Sequence, residues 1–258
     1  MMERLLALVV TAATVLVAAT GFSNVVSHAQ DHGSQGRLRD EVNQSYQLSP
    51  GANVQVSGIN GPVEIETTGG TTAHVQVIRT ADSEEALTHH RVSITGSASS
   101  LTVRGEEDHS RARVRQHVIL RIPAAANVTV GGVNGRVKVG QINGSVNVQG
   151  VNGQVDVGQA SSSSDISGIN GNISMTLTRV SQAGLHVSGI NGGIELRFPE
   201  SLNADLEVSN INGTVFTDLP NVTIQGKWGP RNFHARIGEG GAAISITSVN
   251  GRVHISRS

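Results

Sequence analysis

The chain has 258 residues and a formal net charge of −1, from 19 basic and 20 acidic side chains. No long run of one sign supplies the electrostatic footprint of a nucleic-acid binder, and the absence of cysteine excludes disulfides, thiolate metal sites, a cysteine nucleophile and a lipidated N-terminal cysteine. Aromatic residues are 2% of the chain against 31 glycines, so the core must be thin, filled with Val, Ile, Leu and Ala, and joined by frequent tight turns.

The chain opens with Arg4, the apolar run Leu5 to Ala19, and then Ser27-His28-Ala29, whose small residues flank one position as a signal-peptidase site requires. Residues 1–29 are therefore expected to be a signal peptide cleaved after Ala29, with an uncleaved membrane anchor as the alternative. No later stretch approaches the roughly 20 apolar residues that span a bilayer. The mature chain is expected to be exported, to the periplasm, the cell envelope or the secreted fraction, with no transmembrane helix. Residues 30–48 are polar and without periodicity, and are expected to form a flexible lead-in.

The region 49–258 reads as one β-repeat domain. The triplet Ile/Val-Asn-Gly brings Asn60-Gly61, Asn134-Gly135, Asn143-Gly144, Asn152-Gly153, Asn170-Gly171, Asn191-Gly192, Asn212-Gly213 and Asn250-Gly251. From Asn to Asn the steps are 74, 9, 9, 18, 21, 21 and 38 residues, the arithmetic of a coil of about 18 to 21 residues marked once or twice per turn. Within a unit such as Val133 to Gln141, Val133, Val137 and Val139 alternate with Asn134, Arg136 and Lys138, the period of a strand with one buried face. An odd repeat must slip the alternation once, and Gly140-Gln141 is the expected corner. The pattern predicts an all-β fold, a β-solenoid (β-helix-like) with regular repeats over 127–258. Because Asn-Gly is also a strong hairpin signal, an antiparallel β-meander or sandwich is the alternative. In a solenoid the repeated Asn would stack and share side-chain hydrogen bonds, so the triplet residues are structural.

Residues 49–126 read as irregular early coils or a capping sheet, since a repeat stack must cover its strand edges. Val75 to Ile78, Val92 to Ile94, Leu101 to Val103 and Val118 to Ile122 are expected strands, and Ser83 to Leu87 a short helical turn. Arg104 to Arg111 reads as a solvated charged loop. The Ser161 to Ser164 run is expected to replace a marked half-coil with a looser loop. Trp228 with Phe233 is expected to cap an open core end.

Candidate chemistry is sparse. His89-His90 is the only adjacent pair among ten His, and neighbours on a strand face opposite ways, so they would not share one ion. The outward acids Glu64, Glu66, Asp156, Glu195 and Glu207 do not line up as the paired carboxylates of a glycosidase. No catalytic residue, metal or cofactor is assigned, and the chain is expected not to be an enzyme.

The exported N-terminus, the coils Val54 to Ile65 and Val128 to Phe216, and Gly238-Glu239-Gly240-Gly241 leading to Thr247-Ser248-Val249-Asn250-Gly251 together resemble the bacterial putative-adhesin family of β-strand-repeat proteins of unknown function. The resemblance covers nearly all of the mature chain. It implies a β-helix-like fold in a bacterial envelope or secreted fraction, and brings no catalytic residues. The functional expectation is an adhesin-like binding or scaffolding protein whose partner is an unknown envelope protein or glycan, with no nucleic acid. The alternatives are a polysaccharide-acting β-solenoid enzyme and an envelope-stress sensor or partner module.

Overall fold

The structure is a computed structural model that describes residues 38–107, 114–160, 162–219, 222–225 and 232–258. The expected signal peptide and Trp228 lie outside these residues. The N-terminal part contains β1 (Leu38–Gln47), β2 (Asn53–Ser57), β3 (Val63–Thr68), β4 (Thr72–Ala81), α1 (Glu84–His89), β5 (His90–Gly96), β6 (Ser100–Glu107) and β7 (Val114–Pro123). The repeat part contains β8 (Asn127–Val133), β9 (Val137–Ile142), β10 (Val146–Val151), β11 (Val155–Ala160), β12 (Ser164–Asn170), β13 (Ile173–Leu177), β14 (Leu185–Asn191) and β15 (Ile194–Phe198). Four strands follow: β16 (Ala204–Thr217), β17 (Val222–Gln225), β18 (Asn232–Ile237) and β19 (Ala242–Arg257). The expectation of an all-β protein holds: the strands join in one continuous sheet, and α1 is the single helix among the described residues.

Pairing in the repeat part is parallel and skips one strand. One ladder runs β2, β8, β10, β12, β14, and the other runs β3, β9, β11, β13, β15. Each layer is thus two strands joined at an Asn-Gly corner, and successive layers lie 18 residues apart from Asn134 to Asn152 and on to Asn170, then 21 to Asn191. The inner faces close on one apolar core, from Tyr46 and Val54 through Val130, Val148, Ile166 and Phe198 to Ile255. A thin aliphatic core follows directly from the near-absence of aromatic residues, because Val and Ile fill a narrow space between pleated faces. Among the described residues, antiparallel pairing is confined to the ends, where β1, β4 and β7 and the β5–β6 pair lie at one end and β16, β18 and β17 at the other.

Four local expectations need correction. Residues 38–47 are not a flexible lead-in, because β1 pairs with β4 over its whole length and buries Tyr46; as an edge strand with one wet face it carries too few apolar residues to show periodicity. The charged stretch from Arg104 is strand β6 as far as Glu107, and its remainder falls outside the described residues. Ser164 does not end a loose loop: it opens β12, in register with Val146, so this half-unit keeps its strand and loses only the Asn-Gly mark. Gly140-Gln141 lies within β9; the alternation slips there, between buried Val139 and Ile142, but the chain turns later, at Asn143-Gly144. The helical turn at Ser83 is present, with the Ser83 hydroxyl accepting from the Ala86 N–H at 3.2 Å as an N-cap.

In the first ladder the slip is made by left-handed glycines. Gly58, Gly132, Gly150 and Gly168 have φ of 68°, 60°, 60° and 65°, which costs glycine nothing, and the following Ile59, Val133, Val151 and Ile169 turn inward. The corresponding residues of β14, β19 and β16 are Gly189, Ser248 and Asn210. There the strands stay extended, so Gly189, Ser248 and Asn210 face the core while Ile190 and Ile211 are 43% and 56% exposed. Ser248 supplies the physical reason. Its Cβ disfavours the left-handed conformation, and the two strands hydrogen-bonded to it must match its extended backbone. The Ser248 hydroxyl is buried with no hydrogen-bond partner. Replacing Ser248 by alanine should therefore raise stability by about 1 kcal/mol, read as a higher urea midpoint at unchanged slope; a lower midpoint would show that the hydroxyl is satisfied in solution.

At the β16–β18 end, Asp205 accepts from Arg236 Nε at 3.2 Å and from the Gly241 N–H at 3.2 Å. The Gly241 N–H, and after it Arg236, holds the Asp205 carboxyl below the usual aspartate range. A carboxyl depressed on folding stabilises above its unfolded pKa and loses that contribution as pH falls through the folded one. Asp205→Asn should therefore lose less stability than the parent between about pH 4 and lower values, measured as thermal midpoint against pH.

Candidate functional site

The Asn-Gly corner is a continuous side-chain ladder. Asn134 donates to Asn60 at 3.1 Å, Asn152 to Asn134 at 3.2 Å and Asn170 to Asn152 at 3.2 Å. Asn191 donates to Asn170 at 2.9 Å, Asn250 to Asn191 at 2.8 Å and Asn212 to Asn250 at 3.0 Å. Asn60 Nδ2 ends the chain on the Val114 carbonyl at 3.1 Å. A carbonyl can only accept, so that anchor fixes the amide orientation of every rung, and aligned amide bonds of this kind reinforce one another. Asn143 stands at the opposite corner. That corner has a shorter ladder of its own, in which Asn127 donates to Asn53 at 3.3 Å and accepts from the Ser145 N–H and hydroxyl at 3.0 Å.

The glycines beside the rungs form a second column. An added Cβ at Gly135 would lie 2.4 Å from the Gly61 carbonyl oxygen, at Gly153 2.2 Å from that of Gly135, and at Gly171 2.1 Å from that of Gly153. The column continues through Gly192, Gly251 and Gly213, where the corresponding distances are 2.4, 1.9 and 1.8 Å. Asn and Gly at this corner thus serve the stacking of layers.

The outward faces of the two ladders differ. On the second ladder Glu64, Lys138 and Asp156 alternate in sign in register, and His117 meets Glu64 at 2.9 Å, Arg121 meets Glu66 at 3.1 Å and Arg197 meets Glu195 at 2.6 Å. These pairs are exposed enough to add little stability. The first ladder shows a mostly uncharged face. One row runs Gln55, Thr129, Asn147, Asp165, His186, Ser245 and Glu207. Beside it run Ser57, Gly131, Gln149 and Ser167 and, past a shift of register between β12 and β14, Ser188, Thr247 and Ser209.

That face is not flat throughout. A groove of about 510 Å³ is lined by Thr129, Asn147, Ser163, Asp165, His186 and Ser245, among others, and it lies beside the β13–β14 connection, where the layer is longer by the difference between the 18-residue and 21-residue steps. Asn147 Oδ1, Asp165 Oδ1 and the Ser164 hydroxyl in its wall have no hydrogen-bond partner, and Ser164 is 6% exposed. Asp165 is thus a carboxylate among hydroxyls, the Asn147 amide and the His186 imidazole. Neither Asn147 nor Asp165 carries a sequence motif. Their shared position three residues before the slip would have placed them in one row, but not in a concavity.

A second cavity, about 520 Å³, lies at the β1 end between Leu38, Val42, Val77, Leu87, Val92 and Ile94, with Arg39 and Arg91 also in its lining. Among the described residues, no cluster of three or more His, Cys, Asp and Glu is arranged to hold a metal ion, and no helix is long and apolar enough to cross a membrane.

No family model matches the chain, and no curated protein does. Solved structures similar to it are those of bacterial proteins named as adhesins. A "putative cell adhesion protein" of Clostridium sporogenes is 12% identical, with a TM-score of 0.45, covering 84% of this chain and 100% of that one. A "putative adhesin" of Bacteroides fragilis is 12% identical, with a TM-score of 0.32, over 84% of this chain and 97% of that one. Another from Parabacteroides merdae is 13% identical, with a TM-score of 0.27, over 90% and 99%.

Proposed function

We propose that this chain is a non-enzymatic, exported, adhesin-like binding protein of the bacterial cell envelope, and that its two parallel ladders are the faces of one β-solenoid. The 18-residue register supports the solenoid, since each layer stacks like on like. The binding reading is carried by the groove at Asn147 and Asp165. Asn147 and Asp165 are only partly buried and line the groove, while their Oδ1 atoms are shut off from solvent, so a ligand would meet the remaining polar atoms of the lining. A hydroxyl-rich ligand can both donate to and accept from a lining of hydroxyl, amide, carboxylate and imidazole groups. The first-choice ligand is therefore a glycan of the envelope. An extended row of Ser, Thr, Asn and Gln beside the groove offers further hydrogen bonds without strong charge selection.

The test is a glycan array together with capture from envelope extracts, run with the parent and with Asn147→Ala/Asp165→Ala. Binding that falls at least tenfold in the double variant, with an unchanged circular dichroism spectrum, is the expected result. Capture of neither glycan nor envelope partner would sink the reading, and turnover of a bound glycan into smaller products would overturn its non-enzymatic part.

A further inference from the structure

Layer order follows chain order until β15 and then departs from it. The next strand in the chain is β16, but the strand stacked on β14 and β15 is β19, and β16 lies beyond it. β19 thus fills a slot with hydrogen-bonded neighbours on both sides, from Ala242 paired with Ala204 to Arg257 paired with Phe198.

The slot selects its occupant chemically. Asn250 donates to Asn191 at 2.8 Å and accepts from Asn212 at 3.0 Å. Gly251 fits because an added Cβ would sit 1.9 Å from the Gly192 carbonyl oxygen, and one on Gly213 would sit 1.8 Å from that of Gly251. A strand without Gly at this height is excluded by backbone overlap, and one without Asn leaves the Asn191 acceptor and the Asn212 donor unmatched.

Occupancy by β19 also has a cost. Ser248 Oγ and Asn210 Oδ1 are buried without partners, and Ile190 and Ile211 stand exposed in the same row as Val249. With β19 withdrawn, β16 would face β14 and β15 directly, after a shift of one layer, roughly 4.8 Å. The residues at the slip would then be Gly189 and Asn210, the two residue types that readily take the left-handed conformation. Ile190 and Ile211 could then turn inward as Ile169 does. That burial would recover part of the cost of withdrawing the strand, and the same strand from a second copy would restore the pairing on both sides of the slot.

We propose that this slot is an exchangeable strand site whose partner is residues 242–257 of a second copy of this chain, so that copies join by reciprocal strand exchange. Residues 242–257 carry the Asn-Gly mark at the height of the slot and match its full length.

The chain has no cysteine, so single thiols can report the exchange. Glu195 and His254 are register partners on the outer face. Glu195→Cys and His254→Cys chains would be mixed, refolded together from urea at high concentration and oxidised gently. The expected product is a disulfide-linked heterodimer of the two variants, with dimers in light scattering of the unoxidised parent refolded alone. In parallel, a synthetic 242–257 peptide with cysteine at 254 is offered to the folded Glu195→Cys chain. It should crosslink, and the same peptide carrying Gly251→Val should crosslink at least tenfold less, a control that does not depend on a variant protein folding. Monomers alone with no crosslink, equal capture of both peptides, or peptide capture without any chain-to-chain crosslink would each overturn the proposal. None of these outcomes depends on whether a glycan binds the groove.

Discussion

Replacing Gly153 by alanine is expected to cost roughly 3 kcal/mol or more, enough to remove much of the stability of an ordinary domain. The added methyl carbon would lie 2.2 Å from the Gly135 carbonyl oxygen and 2.6 Å from its carbon. These are backbone atoms of the next layer, so no side chain can rotate away. The clash cannot be relieved by sliding the layer either, because Asn152 is bonded to Asn134 on one side and Asn170 on the other. Separating the layers would lengthen those bonds and the Asn152 N–H bond to the Val133 carbonyl, now 2.9 Å. Gly131 is the matched control: a Cβ there meets only the Gln149 carbonyl oxygen, at 3.8 Å, an ordinary contact. Gly131→Ala should shift the urea midpoint little while Gly153→Ala shifts it strongly. Similar shifts for both would mean that the layers are loosely stacked.

The same columns mark what the sequence could disclose. The spacing of Asn-Gly pairs, the inward Val and Ile, and the outward variable residues were all legible, because each layer repeats one local problem and solves it with the same residue types. The helix at Ser83 was legible from its cap and the acids that follow. Strand β1 was not, since a polar edge strand has no buried stripe to reveal it. The position of β19 was not legible either. Its Thr247-Ser248-Val249-Asn250-Gly251 matches the other layers in pattern, and pattern alone says nothing about which layer lies next to which. One residue did carry a signal: Ser248 stands where the earlier layers have glycine, and that substitution decides the extended register of three neighbouring strands. The groove at Asn147 and Asp165 was beyond reach for a related reason, because its concavity comes from a longer connection on a different strand pair.

Loss of the Arg79 side chain is the second large effect expected, about 2 to 4 kcal/mol. Its guanidinium holds three chain segments together. Nε donates to Asp40 Oδ2 at 2.9 Å and Nη2 donates to the same carboxylate, while Nη1 donates to the Leu87 and His90 carbonyls at 2.8 and 3.0 Å. Arg79 and Asp40 are each 16% exposed, so Arg79→Ala would leave a poorly hydrated carboxylate without this cation, and two carbonyls at the end of α1 without these donors. Lysine should restore little, because one ammonium cannot reproduce a planar fork that serves a carboxylate on one side and two carbonyls on the other. The damage should stay local. Helix α1 rests on its own small cluster of Ala81, Ala86 and Val114, separate from the main core, so its amides should lose hydrogen-exchange protection in Arg79→Ala while those of β9 to β13 keep theirs. Because α1 and β5 also wall the 520 Å³ cavity through Leu87, Val92 and Ile94, that cavity should widen and take up an apolar dye that the parent excludes. Uniform loss of protection across the ladders would instead place Arg79 in the cooperative core of the stack, and the cap and the repeats would then have to be treated as one folding unit.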